Sequence, residues 1–393
     1  MKKSLIALAA LSTIAGSVAA QSSVTVYGRL DAGYRVGSSE TAAGTKTDTT
    51  GVAQGGWTSN RLGITVSEDL GGGLKALGTV EMNMNIAGGT NGAAQAQTLS
   101  GTRQSFMGVQ GGFGTLTIGQ QYTPEYNITV PFVAGTTNAM NLNGTTNPVA
   151  RAAAVANENL DSIVWVSPKI AKNFEVVLQA GSSSSKNNDT AEGSGRTDVQ
   201  PEDTKIKLMA FGLNYKAGAT DLRYAYTKAD KQNAKTAGST ITNHNNNGMN
   251  GQPQTATYTY GVFTAAANTE QENHSFGASY NAGFARFIGY YVDRTGTDNL
   301  TGVKTDDEGY SVGVRVPVKG TKATAFVNYT ANEQTASGTA GSTKKNGSQI
   351  GLNYDFSKRT SAYAFYADFE NKAAKTTTVK KADQISLGLV HLF

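Results

Sequence analysis

From Val24 to Val36 the chain alternates without a break. Val24, Val26, Gly28, Leu30, Ala32, Tyr34 and Val36 fall on one face; Thr25, Tyr27, Arg29, Asp31, Gly33 and Arg35 fall on the other. A period of two is a strand, because a helix needs apolar residues every three to four positions. The run covers thirteen residues, against roughly 5–6 for a strand in a soluble protein. A barrel strand crosses a bilayer with about 9–11 residues. Slipping the register by one would turn Arg29 and Arg35 onto the apolar side. In a membrane that costs about 2–4 kcal/mol for each Arg near the midplane. Arg29, Asp31 and Arg35 are therefore expected to face the interior of a closed sheet.

The alternation recurs along the chain. Leu62, Ile64 and Val66 oppose Arg61, Thr65 and Ser67; after the turn at Gly71-Gly72-Gly73, Leu74, Ala76, Val80, Met82 and Met84 oppose Lys75, Thr79, Glu81 and Asn83. Further hairpins join Phe211, Leu213 and Tyr215 to Leu222, Tyr224 and Tyr226, and Tyr310, Val312, Val314 and Val316 to Ala323, Ala325, Val327 and Tyr329. Short turns fall near 69–73, 111–113, 168–172, 216–219, 281–283, 317–321 and 356–359. Long polar loops fall near 37–56, 87–101, 123–161, 182–203, 228–272, 294–308, 331–346 and 371–382. Short turns at one end and long loops at the other are the habit of outer-membrane barrels, whose strand number is even. The count is about sixteen. The stretch 228–272 reads as one surface loop with room for a short hairpin. The last strand sets Ile385, Leu387, Leu389, His391 and Phe393 on one face. Pairing it with the first strand removes the edge that a membrane would not tolerate.

The first residues have a different character. Lys2 and Lys3 precede an apolar run from Leu5 to Val18 and the small pair Ala19-Ala20. This is the form of a secretory signal, with cleavage expected after Ala20 and a barrel over 21–393. The alternative, a retained anchor, fits poorly, since a spanning helix takes roughly 20 apolar residues. Without Lys2 and Lys3 the 34 basic residues fall to 32, against 29 acidic. That balance excludes a nucleic-acid binder working through phosphate contacts. There is no cysteine, so the exported fold has no disulfides and no cysteine-ligated zinc or iron–sulfur site. No cofactor is indicated. Only 7 prolines against 46 glycines suits long ladders joined by tight turns.

Six fragments in order resemble one family. They are Gln21-Ser22-Ser23-Val24-Thr25-Val26-Tyr27-Gly28, Ser67-Glu68-Asp69-Leu70-Gly71-Gly72-Gly73-Leu74-Lys75-Ala76, Gly112-Phe113-Gly114-Thr115-Leu116-Thr117-Ile118-Gly119, Asp161-Ser162-Ile163-Val164-Trp165-Val166-Ser167-Pro168, Ser357-Lys358-Arg359-Thr360 and Gly388-Leu389-Val390-His391-Leu392-Phe393. The chain resembles the trimeric general porins of Gram-negative bacteria, in particular their β-proteobacterial branch. The resemblance implies an all-β, sixteen-stranded transmembrane antiparallel barrel in the outer membrane, assembled as a homotrimer. It also implies a third long loop, here about 123–161, folded into the lumen. It assigns to Phe393 the signal read by the outer-membrane insertion machinery. The chain departs from the family pattern at Gln120, Val164 and Val390, where relatives often carry Arg, so the implied anion preference is a weak one.

Charge at a narrow, low-dielectric constriction selects ions. The candidate basic wall is Arg29, Arg61, Lys75 and Arg103. The candidate acids are Asp31 and Glu81 on the wall, with Glu125, Glu158 and Asp161 near the third loop. The competing reading is lumen charge that is merely solvated or paired. Parity turns Arg29 and Arg61 inward, whereas Phe106 and Met107 leave Arg103 undecided. Trp57, Tyr122, Trp165, Tyr224, Tyr290 and Tyr363 are candidates for interfacial girdles. Lys186, Lys231, Lys235, Lys344 and Lys345 could meet lipopolysaccharide phosphates, or be ordinary solvated loop charge. The expected function is passive diffusion of small hydrophilic solutes and ions, by a protein that is not an enzyme and that contacts outer-membrane lipids. Two other classes share some of these features. A hydrolase on a barrel scaffold would draw on His244 and His274, but no nucleophile motif flanks them. A soluble exported sandwich or lectin would share the strands but not the even rhythm.

Overall fold

The computed structural model describes residues 22–86, 99–136, 159–185, 204–233, 240–245, 254–259, 268–338, 342–372 and 379–393. The main sheet contains β1 (Ser23–Thr41), β2 (Lys46–Gln54), β3 (Arg61–Gly71), β4 (Leu74–Met84), β5 (Leu99–Gly111), β6 (Gly114–Tyr122), β7 (Asn159–Val166), β8 (Phe174–Ser185), β9 (Thr204–Ala217) and β10 (Thr220–Asn233). A separate hairpin of β11 (Thr240–Asn245) and β12 (Gln254–Thr259) follows. The main sheet resumes with β13 (Asn268–Asn281), β14 (Arg286–Asp298), β15 (Lys304–Pro317), β16 (Ala323–Ala336), β17 (Ser342–Asp355), β18 (Thr360–Asn371) and β19 (Val379–Leu392). Every ladder is antiparallel to its chain neighbour, and β1 pairs with β19, so the sheet closes on itself. Along its other edge β1 pairs with β2 over its far half and with β3 over its near half. These two segments are one barrel strand interrupted at 55–60, which makes sixteen barrel strands.

The alternation has the expected sense. On β1, Val24 is 68 % exposed and Val36 48 %, while Arg29 and Arg35 on the opposite face are half-buried and Asp31 is fully buried. Met107, Ile118, Leu178, Ile350 and Leu389 continue the exposed apolar face, and Ser311, Asn328, Gln349 and Gln384 belong to the buried polar one. An apolar exterior around a polar interior is the inverse of a soluble fold, and it matches hydrocarbon outside and water inside.

The seven short turns fall where the sequence sets them. The long loops are shorter than expected, because the strands climb further. β1 and β2 pair through the 37–56 stretch, β10 runs to Asn233, β14 to Asp298 and β16 to Ala336. The segment 228–272 is thus not one loop. Its described residues form two strand ends and, between them, the β11–β12 hairpin, the short hairpin for which the sequence left room. Above the bilayer a strand has water on both faces, so no apolar alternation is left in the sequence to mark it. Residues 1–20 lie outside the described residues.

Closure is finished at Phe393. Its backbone exchanges hydrogen bonds with Gly28 (Gly28 N to Phe393 O 3.0 Å, Phe393 N to Gly28 O 3.2 Å). The Phe393 ring occupies the space a side chain at 28 would need, and a Cβ there would also lie 2.8 Å from the Arg61 carbonyl oxygen. Gly28→Val is therefore expected to lower the yield of heat-modifiable, folded barrel in refolding assays. Gly78→Ala is the control, since a Cβ there meets nothing closer than 3.9 Å.

Candidate functional site

The charged residues of β1, β3, β4 and β5 converge on one carboxylate. Glu81 is buried and accepts from Arg61 Nη1 at 3.3 Å, Arg103 Nε at 2.9 Å and Tyr27 OH at 2.9 Å. Arg103 also donates to Asn83 Oδ1 (2.9 Å) and to Tyr126 OH (3.1 Å), and its guanidinium lies 5.6 Å from the Tyr122 ring centroid. Strict alternation from the exposed Met107 would turn Arg103 outward. The β4–β5 ladder instead slips twice, between Glu81 and Met82 and between Met82 and Asn83. Gly101 supplies a positive φ of 60° beside the slips. A bulge inserts unpaired residues and re-aims those that follow, which brings Arg103 onto Glu81. Gly63 leaves room for the Tyr27 ring to reach the same carboxylate. Arg29 completes the wall and makes no hydrogen bond or ion pair among the described residues. Three guanidinium groups thus face a single carboxylate.

Opposite this wall runs the segment Thr123–Thr136, which includes the one-turn helix α1 (Tyr126–Thr129). Ile128, Phe132, Val133 and Ala134 are buried against Ala225, Ile288, Tyr290 and Val292 of β10 and β14. Glycines make that approach possible: a Cβ on Gly277 would lie 2.9 Å from both Ile128 and Phe132, and one on Gly313 2.5 Å from Ala134. Polar contacts fasten the rest. Ala134 N donates to Asn328 Oδ1 (3.0 Å), and Thr136 and Gln349 exchange two hydrogen bonds of 2.8 and 2.9 Å. Arg315 Nε donates to Ala134 O (2.6 Å), and Thr136 Oγ1 donates to Gly56 O (3.1 Å). Glu125 is held by Arg294 Nη2 at 2.7 Å and Asn273 Nδ2 at 2.9 Å, and Arg294 reaches on to Asp307 at 3.7 Å. Asn332 caps Asp307.

A closed sixteen-strand antiparallel barrel finds its counterpart in known proteins. A family model described as Gram-negative porin matches residues 7–374. The chain belongs to the Gram-negative porin family. An outer membrane porin protein of Bordetella pertussis is 26% identical over 410 residues, which is 100% of both chains. The major outer membrane protein P.IB of Neisseria meningitidis serogroup B is 41% identical over 125 residues, 30% of this porin and 34% of its own length. An anion-selective porin from Comamonas acidovorans shares the fold with a TM-score of 0.65 at 21% identity, covering 95% of this porin and 100% of that chain. The trimer form of OmpT from Vibrio cholerae does so at 0.60 and 16% identity, over 95% and 99%. The protein is an outer-membrane channel for passive diffusion.

The porin brings together only part of the expected constriction. Arg29, Arg61, Arg103 and Glu81 form one group, and Glu125 lies in the facing segment. Asp31 faces inward but is buried, bonded to Trp57 N (2.7 Å), Thr58 N (2.6 Å) and Tyr363 OH (2.8 Å), so its carboxylate is out of direct contact with the lumen. Lys75 is exposed near the short turns, beside Asp69 and Gln110 in the ladders. It stands six residues along β4 from Glu81, about 20 Å at the rise of a strand. Asp161 shares the outward parity of Ile163 and is exposed. Glu158 lies outside the described residues. Among the aromatics, Trp165 and Tyr224 face outward, whereas Trp57, Tyr122, Tyr290 and Tyr363 belong to the interior. Tyr290 turns inward because the segment around Phe132 covers it. Arg294, Asn273 and Arg315 were not singled out from sequence. Phe287, Ile288, Tyr290, Tyr291 and Val292 are apolar on both faces of one strand, and that pattern marks a strand covered on its inner side too. His274 sits outside the barrel with Nδ1 2.8 Å from Tyr224 OH. The side chain of His244, and Lys186 and Lys235, lie outside the described residues, and Lys344 pairs with Glu333 at 3.0 Å.

Proposed function

We propose that this porin is a weakly anion-selective, general diffusion channel whose constriction lies between the Arg29–Arg61–Arg103 wall and the segment 123–136, which crosses the lumen and narrows it. The observation that carries the proposal is the imbalance at Glu81, where three guanidinium groups face one carboxylate; Glu125 shares Arg294 with Asp307, which offsets part of that excess and keeps the preference small. Fixed charge of one sign in a low-dielectric passage raises the local concentration of the opposite ion. The preference is weak because Gln120, Val164 and Val390 stand where relatives often carry Arg. A homotrimer is proposed on the likeness to the trimer form of OmpT. Residues 1–20 are proposed to be a cleaved export signal and Phe393 the mark read by the insertion machinery. Lysines near the long loops are proposed to meet lipopolysaccharide. The protein is proposed to have no catalytic role.

The test is the reversal potential of the reconstituted channel in a salt gradient. Anions should permeate slightly better than cations, and Arg103→Gln should move the potential toward cations. A clear cation preference in the wild type would refute the selectivity.

A further inference from the structure

Among the described residues, two cavities on the short-turn side of the barrel interior differ in charge. One, of about 400 Å³, contains Lys169, Lys216 and Arg223, but Glu175 pairs with Lys169 at 2.6 Å and Asp221 with Arg223 at 3.1 Å. The other, of about 420 Å³, is lined by Arg29, Arg286, Arg315, Trp57, Phe326 and Asn353, among others. Its one carboxylate, Asp355, lies at the turn and accepts from Asn353 at 2.7 Å. Arg286 and Arg315 stand directly opposite each other on β14 and β15. Like charges in that position destabilise a sheet, and none of the three arginines has an ion pair among the described residues. Arg315 spends its Nε on Ala134 O, and Arg286 gives Nη2 to Ser279 Oγ at 3.0 Å. Arg29 has no hydrogen-bond partner among the described residues. Beside this unbalanced charge lies an aromatic corner: Trp57 and Phe326 meet edge to face at 5.3 Å, and the Arg315 guanidinium is 6.0 Å from the indole centroid.

We propose that this cavity is a binding subsite for small aromatic carboxylates, with the ring against Trp57 and Phe326 and the carboxylate on Arg286 and Arg29. Both halves of the ligand follow from the lining. A guanidinium fork matches a carboxylate in geometry and charge. An aromatic ring gains edge-to-face or offset contacts that a saturated ring lacks. The volume falls within the roughly 300–1,000 Å³ of small-molecule sites. The subsite rests on the anion-preferring channel proposed above and narrows its substrate class.

The sequence has two tryptophans, so Trp165→Phe leaves Trp57 as the sole indole reporter in the folded, detergent-extracted protein. Titration with benzoate should change its emission saturably. Cyclohexanecarboxylate should need up to about tenfold more, the factor of a lost aromatic contact, and benzoate with Arg286→Gln should need about tenfold more, since one charge-assisted hydrogen bond accounts for about that factor. Arg286 is exposed in the cavity, so its replacement leaves the fold intact. Quenching that never saturates, equal affinity for the two acids, or an unchanged Arg286→Gln would each overturn the subsite. If the channel keeps its anion preference while benzoate leaves Trp57 unmoved, only the subsite falls. A cation-preferring channel overturns the reading beneath it.

Discussion

Arg294→Met should raise single-channel conductance and current noise without preventing barrel formation. Arg294 is buried between Glu125 and Asp307. Its guanidinium is the cation within 4 Å of either carboxylate among the described residues. Removing one partner of a buried ion pair costs about 3–5 kcal/mol, because the remaining charge is left without compensation. The chain can meet that cost in two ways. It can unfold the barrel, which means breaking ladders that share one closed sheet, or it can release the segment 123–136, which is held by a small apolar cluster and a few hydrogen bonds. Local opening takes the cheaper route. Released, Glu125 regains water and the passage widens. Arg294→Lys should fall in between, since it keeps the charge and loses the fork. Unchanged conductance in Arg294→Met would show that the segment does not narrow the pore.

Asp31→Ala should have the largest effect on stability, read as a lower temperature for the loss of folded mobility on unheated gels. Asp31 uses both carboxylate oxygens, accepting from Trp57 N, Thr58 N and Tyr363 OH. These three bonds stand in for the ladder that is missing where β2 gives way to β3. Each buried donor left unsatisfied costs about 1–3 kcal/mol. The loss also spreads, because Thr136 is fastened to the carbonyls of Gly56 and Trp57. Tyr363 fills the space above Gly33, Gly56 and Gly388, so its displacement loosens the seam between β1 and β19 as well. Asp31→Asn should lose less, since one oxygen still accepts. A melting profile equal to wild type would mean that residues 55–60 hold their place without Asp31.

The fold was legible because a barrel strand writes its environment into a period of two. Val24–Val36 set the register before any partner was known, and the seven short turns marked one rim. The site was legible only in part. Parity says which way Arg29, Asp31 and Arg61 point, but not what waits for them. Asp31 meets two backbone amides and a tyrosine from the far end of the chain, and this pairing over more than three hundred residues leaves no local trace. Arg103 defied parity because the bulges at Met82 cancel the alternation within a few residues. Asp161 followed parity outward with Ile163, a signal that was present in the sequence and not used. Arg294 carried its own mark in the doubly apolar run before it, which says that something covers the inner face of β14. Ile128 and Phe132 pack against it, and such contacts are long-range and have no period.

The most direct test is single-channel recording of the detergent-extracted, refolded protein in a planar bilayer under a salt gradient. The account predicts discrete, water-filled openings in groups of three, with a reversal potential slightly on the anion side. Silence from verified folded trimers would contradict free diffusion through the barrel.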